Sequence, residues 1–195
     1  MKKLLLAACV STSLLGACAT TMDGPMGMSS PTMTMGAPMV GGAAMYPSKD
    51  IVDNAVNSKD HTTLVAAVKA AGLVDTLKSP GPFTVFAPTN ASFAALPAGT
   101  VDTLLKPENK SMLTGVLTYH VVPGRVDAAA LSQMIRAGNG RAMLKTASGG
   151  TLVATMSGSN VLITDAKGGS ATVTIADVYQ SNGVIHVVNK VLLPG

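Results

Sequence analysis

The sequence lacks tryptophan, and aromatic residues make up only 3% of its 195 positions, so a hydrophobic core has to be built from aliphatic side chains. Charged residues are also scarce at 12%, whereas hydrophobic residues reach 47%, a composition that excludes an intrinsically disordered chain. Glu108 is the single glutamate, and no paired carboxylates, Gly-x-Ser-x-Gly motif or phosphate-binding glycine loop occurs. These absences predict that the protein is not an enzyme.

The first 18 residues have the pattern of an export signal. Lys2 and Lys3 form a positively charged start, and the apolar run at residues 4–10 is too short to span a bilayer. The sequence Leu-Gly-Ala-Cys at residues 15–18 resembles the lipobox of bacterial lipoproteins, which implies attachment of a diacylglycerol to the Cys18 sulfur through a thioether, cleavage before Cys18 and acylation of its new amino group. We therefore expect residues 1–17 to be a signal peptide and Cys18 to be a lipid anchor.

This processing accounts for both cysteines. Cys9 leaves with the signal peptide and Cys18 is alkylated, so the folded part has no thiol for a disulfide or a thiolate metal site. Ala19, rather than aspartate, follows the anchor, which by resemblance to the sorting rule of enteric bacteria favours the outer membrane over the inner one. The expected location is the cell envelope, with the protein facing either the periplasm or the exterior.

The charge balance argues against a nucleic-acid partner. The formal net charge is +4, but Lys2 and Lys3 leave with the signal peptide, and 12 basic residues then face 10 acidic ones. The remaining basic residues form no cluster along the chain, whereas nucleic-acid binding requires a basic patch. No nucleic acid is therefore expected among the partners.

Residues 18–46 are rich in Gly, Pro, Ser and Thr, which predicts a flexible tether between the anchor and a folded domain. The tether is unusually rich in methionine, whose thioether suits Cu(I). Its Met-x-Met pairs resemble the motifs of exported copper-handling proteins, so the alternative hypothesis is a periplasmic lipoprotein that binds Cu(I) or Ag(I). The plainer interpretation is a low-complexity linker, or one that scavenges oxidants. The methionines concerned are Met22, Met26, Met28, Met33, Met35, Met39 and Met45.

From residue 47 onward the sequence has the pattern of a folded domain. Apolar spacing predicts helices in the first part, including one that ends at Gly72 and one over residues 127–135. Helices followed by antiparallel strands indicate an α+β domain, with the strands in a sandwich or meander. Short β-branched runs between glycine-rich turns predict these strands at residues 83–87, 142–146, 151–156, 160–164, 172–178, 184–188 and 191–193.

Three stretches point to one family: FTVFAPTNASF at residues 83–93, LTYHVVPG at residues 117–124 and NGVIHVVNKVLLP at residues 182–194. They resemble, in order, the first signature box, the Tyr-His segment and the second box of the fasciclin (FAS1) domain family. The resemblance implies a compact β-sandwich wedge with several short helices, occupying residues 47–195. We expect the two boxes to form adjacent central strands, Gly183 to adopt a positive φ in a hairpin, and Asn90 to hold the turn after the strand of the first box.

Tyr119 and His120 are the candidate binding residues, because the Tyr-His segment has been proposed as an adhesion determinant in animal members of the family, notably for integrins. For this chain the resemblance implies at most a surface near a partner, and the alternative is that both residues serve only the core. A buried imidazole bonded to backbone or to an aspartate is favoured over a catalytic or metal role for His61, His120 and His186.

Together these features predict a membrane-anchored, non-catalytic FAS1 binding module for cell adhesion, surface or matrix contact, or envelope organisation. The expected partners are the membrane, through the lipid anchor, and a protein or glycan surface that the sequence does not name. No cofactor is expected apart from the Cu(I) of the alternative hypothesis. A further alternative is a binder of a small ligand or polymer in a groove of the domain.

Overall fold

The computed structural model describes residues 37–97 and 99–195, so the predicted signal peptide, Cys18 and most of the predicted tether lie outside the described residues. Within those two ranges, none of the helices combines the length and the apolar character that crossing a bilayer requires. The helices are α1 (Ile51–Ala55), α2 (Thr62–Ala71), α3 (Val74–Lys78), α4 (Asn90–Ala94), α5 (Thr100–Leu105), α6 (Lys110–Tyr119) and α7 (Ala128–Ala137), with 3₁₀ turns at Lys59–His61 and Pro107–Asn109.

The strands agree with the predicted ones at most positions, although their ends shift by one or more residues. The predicted strand at residues 191–193 is an exception, because the structure shows irregular backbone there. The strands are β1 (Met39–Val40), β2 (Ala43–Ala44), β3 (Phe83–Pro88), β4 (Val121–Pro123), β5 (Arg141–Lys145), β6 (Thr151–Ser157), β7 (Asn160–Thr164), β8 (Ser170–Gln180) and β9 (Gly183–Val188).

The main sheet has seven strands in the order β4-β3-β9-β8-β7-β6-β5, and its pairs are antiparallel except for β3 with β9. The two signature boxes supply β3 and β9, which confirms that they form adjacent strands. The sheet curls until its two ends nearly meet, since the Ala147 N–H after β5 donates to the Val121 carbonyl of β4 at 2.7 Å. The prediction of an α+β wedge with several short helices is confirmed.

Two hydrophobic clusters lie on opposite faces of β3 and β9. Val85 and Ile185 point to the cluster that the helices α1, α2 and α6 complete. Phe86 and Val188 point to the second cluster, inside the curled sheet, where Leu131 of α7 also packs. Both faces of these strands are buried, which explains why the boxes read as continuous apolar runs rather than alternating ones.

The predicted tether extends too far toward the domain. Residues 39–44 form the hairpin β1–β2, in which Gly41 and Gly42 occupy the turn with φ values of +59° and +75°. Val40 and Met45 are buried in the helical cluster, and the Tyr46 N–H donates to the Asn54 side chain at 3.1 Å. The tether prediction is therefore wrong for the hairpin, because a Gly-Gly turn lets apolar residues fold back onto the core.

Gly183 has a different structural role from the predicted one. Its φ is not positive, although the glycines at many other turns have positive φ. A Cβ on Gly183 would overlap the carbonyl oxygen of Phe83, its partner in the parallel pair of β3 and β9. The residue has to be glycine because the two backbones approach closely, and this requirement depends on a strand 100 residues earlier in the sequence.

Candidate functional site

His120 follows α6 directly and is only 3% exposed. The Leu192 N–H donates to Nε2 at 3.0 Å, so Nε2 carries no proton, and Nδ1–H donates to the Val116 carbonyl at 2.8 Å. Burial lowers the pKa of His120 to about 4, against smaller opposing effects of the Val116 carbonyl and of Asp165. The neutral imidazole therefore joins α6 to the C-terminal segment and offers no atom to a partner.

Tyr119 is 1% exposed and lies on the other side of the backbone, inside the curled sheet. Its hydroxyl donates to the Thr151 carbonyl at 2.9 Å and accepts from the Ala166 N–H at 3.0 Å. Burial raises the pKa of Tyr119, which keeps the phenol protonated as a donor. Neither Tyr119 nor His120 therefore presents its side chain to solvent, and both pack in the core, as the alternative interpretation expects.

Asp165 completes this network and was not singled out by the sequence. Its Oδ1 accepts from the backbone N–H groups of Lys167 at 3.0 Å and Gly169 at 2.7 Å, and its Oδ2 accepts from that of Leu193 at 3.0 Å. The motif Asp-Ala-Lys-Gly-Gly indicates a local turn, in which an aspartate bonds backbone groups two and four residues later. The third bond, to Leu193, depends on the tertiary fold and has no local signal.

Replacing Tyr119 by phenylalanine is expected to lower the free energy of unfolding by about 1–2 kcal/mol, because two partly buried backbone groups, the Thr151 carbonyl and the Ala166 N–H, lose their partner. The matched control is Tyr46→Phe, since Tyr46 is 44% exposed, and a change within about 0.5 kcal/mol is expected there. Urea unfolding of the three proteins measures the difference. Equal stability of the two variants would contradict the structural role of the Tyr119 hydroxyl.

His186 is a second buried histidine, on β9. The Asp177 N–H donates to its Nδ1 at 3.4 Å, and its Nε2–H donates to the Val126 carbonyl at 2.8 Å. The ring stacks on Phe86 with 5.6 Å between centroids. Burial lowers the pKa of His186, so the imidazole is neutral at pH 7 and positions the segment that leads into α7.

His61 is the third buried histidine, and it lies at the start of α2. Its Nδ1 is 2.9 Å from the Ser58 hydroxyl, and its buried Nε2 has no hydrogen-bond partner among the described residues. Burial lowers its pKa as well. In residues 37–97 and 99–195, no group of three or more His, Cys, Asp or Glu side chains could hold a metal ion.

Residues of the first box that follow its strand β3 act as helix caps. Thr89 and Ser92 form a capping box at the start of α4, in which each side chain accepts from the other residue's backbone N–H. The Asn90 amide accepts from the Thr63 N–H at 3.0 Å and donates to the Lys59 carbonyl at 2.8 Å. Asn90 therefore fixes the beginning of α2 from across the fold, a longer-range role than the predicted turn.

The predicted copper-binding methionines have different positions. Met45 is 2% exposed and belongs to the helical cluster, so its sulfur is not offered to solvent, whereas Met39 is 61% exposed on β1. The other five, Met22, Met26, Met28, Met33 and Met35, lie outside the described residues, as does Cys18.

The outer side of β5 to β8 is a broad surface that no described element covers, and we call it the open sheet face. Rows of side chains cross it in register, such as Met143, Val153 and Thr164 on three successive strands. Met143 is 73% exposed, and the residues around it are mostly threonine or aliphatic. The open sheet face consists of Arg141, Met143, Lys145, Val153, Thr155, Leu162, Thr164 and Thr172.

Comparison with known proteins identifies the family to which the chain belongs. Residues 59–194 match the family model of the Fasciclin domain, which is more than half of the chain. The chain belongs to the fasciclin domain family. Its fold is also that of a solved FAS1 domain pair from the insect cell adhesion molecule Fasciclin I, with a TM-score of 0.53 and 24% identity over 67% of this chain and 43% of that one.

Bacterial fasciclin relatives are more similar in sequence. Protein sll1483 of Synechocystis sp. is 47% identical over 156 residues, which cover 80% of this chain and 79% of that protein. The immunogenic protein MPB70 of Mycobacterium bovis is 38% identical over 145 residues, covering 72% of this chain and 66% of that protein. A mammalian relative, the transforming growth factor-beta-induced protein ig-h3 of Sus scrofa, is 36% identical over 76% of this chain and 20% of its own length.

Proposed function

We propose that this fasciclin domain is a non-catalytic binding module, held at a membrane by the lipid on Cys18, that serves cell adhesion or contact with a surface or matrix. Membership of the fasciclin family carries the proposal, because a protein with the same fold is an insect cell adhesion molecule. Organisation of the bacterial envelope by the same contacts is a form of this function. The partner is a protein or glycan surface.

The open sheet face is the contact surface that we assign to this module. The side chains of Tyr119 and His120 are buried, which favours another surface for the partner. A face of threonine and aliphatic side chains, from which Met143 protrudes, can bury apolar area while its hydroxyls form hydrogen bonds. Positive charge lies only along one edge of this face, at Arg141 and Lys145, so the centre of the face is uncharged.

A complementation experiment tests the proposal in cells. A strain that lacks the protein is complemented with the natural chain, with Cys18→Ser, or with Thr155→Glu on the open sheet face. Attachment to a solid surface and cell aggregation are measured. We expect the natural chain to restore both, Cys18→Ser to fail because the domain is no longer held at the membrane, and Thr155→Glu to fail because the contact surface acquires a buried charge.

Thr103→Glu is the matched control, because Thr103 is an exposed residue of α5 on another part of the domain. It is expected to restore attachment as well as the natural chain does. Thermal unfolding of both glutamate variants establishes that they are folded. A deletion strain that attaches and aggregates like its parent would contradict the adhesion function, and full activity of Thr155→Glu would place the contact surface elsewhere.

A further inference from the structure

A partly enclosed cavity of about 90 Å³ lies between the helices α1, α2 and α3 and the strands β3 and β4. No polar atom contributes to its accessible wall. A water molecule inside would have no hydrogen-bond partner, so such a cavity stays dry or takes an apolar ligand. Its inner wall includes Ile51, Leu64, Val68, Leu77, Val85 and Leu117.

The entrance of the cavity differs from its interior. The entrance is lined by Val65, Leu73 and Thr76. These residues are half-buried or exposed, so they lie closer to solvent than the residues of the inner wall. Among the described residues that line the cavity, Lys69 is the one that carries a charge, and it forms no ion pair with any described carboxylate. A second ammonium group, that of Lys110, lies beside Gly72 at the end of α2.

We propose that this cavity binds a short alkyl chain whose anionic headgroup pairs with Lys69. The volume favours a short chain over a ring system, because the cavity holds only a few carbon atoms and is partly open to solvent. The apolar wall contributes affinity through the burial of methylene groups, and the ammonium group of Lys69 selects an anionic amphiphile over a neutral one. This binding site is independent of the open sheet face, so it adds a function to the proposed module.

Titration calorimetry with hexanoate tests the proposal. The full chain carries Cys18→Ser, so that no acyl chain of its own competes for the cavity. We expect saturable binding, weakened about fivefold by Lys69→Glu and unchanged by Arg136→Glu, which alters a basic residue in the last turn of α7 that does not line the cavity. Lysophosphatidylglycerol with the same chain length is titrated in parallel, and the tighter ligand of the two identifies the headgroup as carboxylate or phosphate.

Val65→Phe fills the entrance and is expected to abolish binding, and Val74→Phe is a second filling variant should the first not fold. Thermal unfolding is measured for each variant, because a lysine in the last turn of α2 also interacts with the helix dipole. Hexanoate binding that persists in a folded filling variant would overturn the proposal. Equal affinity for hexan-1-ol and hexanoate would overturn the role of Lys69.

Discussion

Lowering the pH from 7 to 5 is expected to reduce the free energy of unfolding by about 2 kcal/mol through His120 alone. The folded-state pKa is about 4, whereas an unfolded histidine titrates near its usual 6.5. At pH values between these two pKa values, the unfolded chain binds more protons than the folded one. The contribution of the neutral His120 to stability is therefore fully present above about pH 7 and is lost as the pH falls toward 4. His61 and His186 have pKa values shifted in the same direction and add to the loss.

Urea unfolding at pH 7, 6 and 5 measures this effect while exposed carboxylates, which titrate near pH 4, are still ionised. The variant His120→Gln is the control, because glutamine can accept the Leu192 N–H bond and does not titrate. Its stability at pH 7 is expected to be lower, and its pH dependence shallower, than those of the natural protein. An unfolding midpoint of the natural protein that is the same at pH 7 and pH 5 would contradict the buried, neutral state of His120.

Replacing Gly183 by alanine is expected to lower the free energy of unfolding by about 3 kcal/mol or more. The added Cβ would overlap the carbonyl oxygen of Phe83 and press on Ile51. The carbonyl oxygen belongs to the backbone of β3 and cannot move aside without cost, and the terminal methyl group of Ile51 is packed in the core. The two signature boxes would have to separate at the point where their parallel pairing begins.

Gly115→Ala provides the matched control. Gly115 lies within α6, has no positive φ, and has no atom within 4 Å of an added Cβ. Alanine is expected to stabilise the protein there by about 0.5–1 kcal/mol, since it reduces the freedom of the unfolded chain. Thermal and urea unfolding compare the two variants. A Gly183→Ala protein as stable as Gly115→Ala would contradict the close approach of β3 and β9.

Local patterns in the sequence were sufficient for most of the fold. The run at residues 83–87 and the glycine turns between β5 and β8 carry their signal within a few residues, and the structure has strands there. The signature boxes also indicated which distant segments pair, which no local pattern could have done. The hairpin β1–β2 was missed because it is short and embedded in a composition typical of linkers, although Val40 and Met45 anchor it in the core.

The roles of individual polar residues were harder to predict, since they depend on segments far apart in the chain. His120 accepts a hydrogen bond from the Leu192 N–H, and Asp165 accepts one from the Leu193 N–H. The spacing of residues in the sequence predicts neither contact. The same two hydrogen bonds explain why residues 191–193 are fixed to the domain although they do not form a strand. The cavity beside Lys69 is likewise assembled from several helices and strands, and no single segment of the sequence predicts it.

Intact-mass analysis of the protein isolated from its native membrane tests most directly whether the fasciclin domain acts from a lipid anchor. We predict a chain that begins at Cys18 and carries the added mass of a diacylglycerol and an acyl group, recovered with the outer-membrane fraction. An unmodified N-terminus on protein released into the medium would contradict the proposed membrane-held binding module.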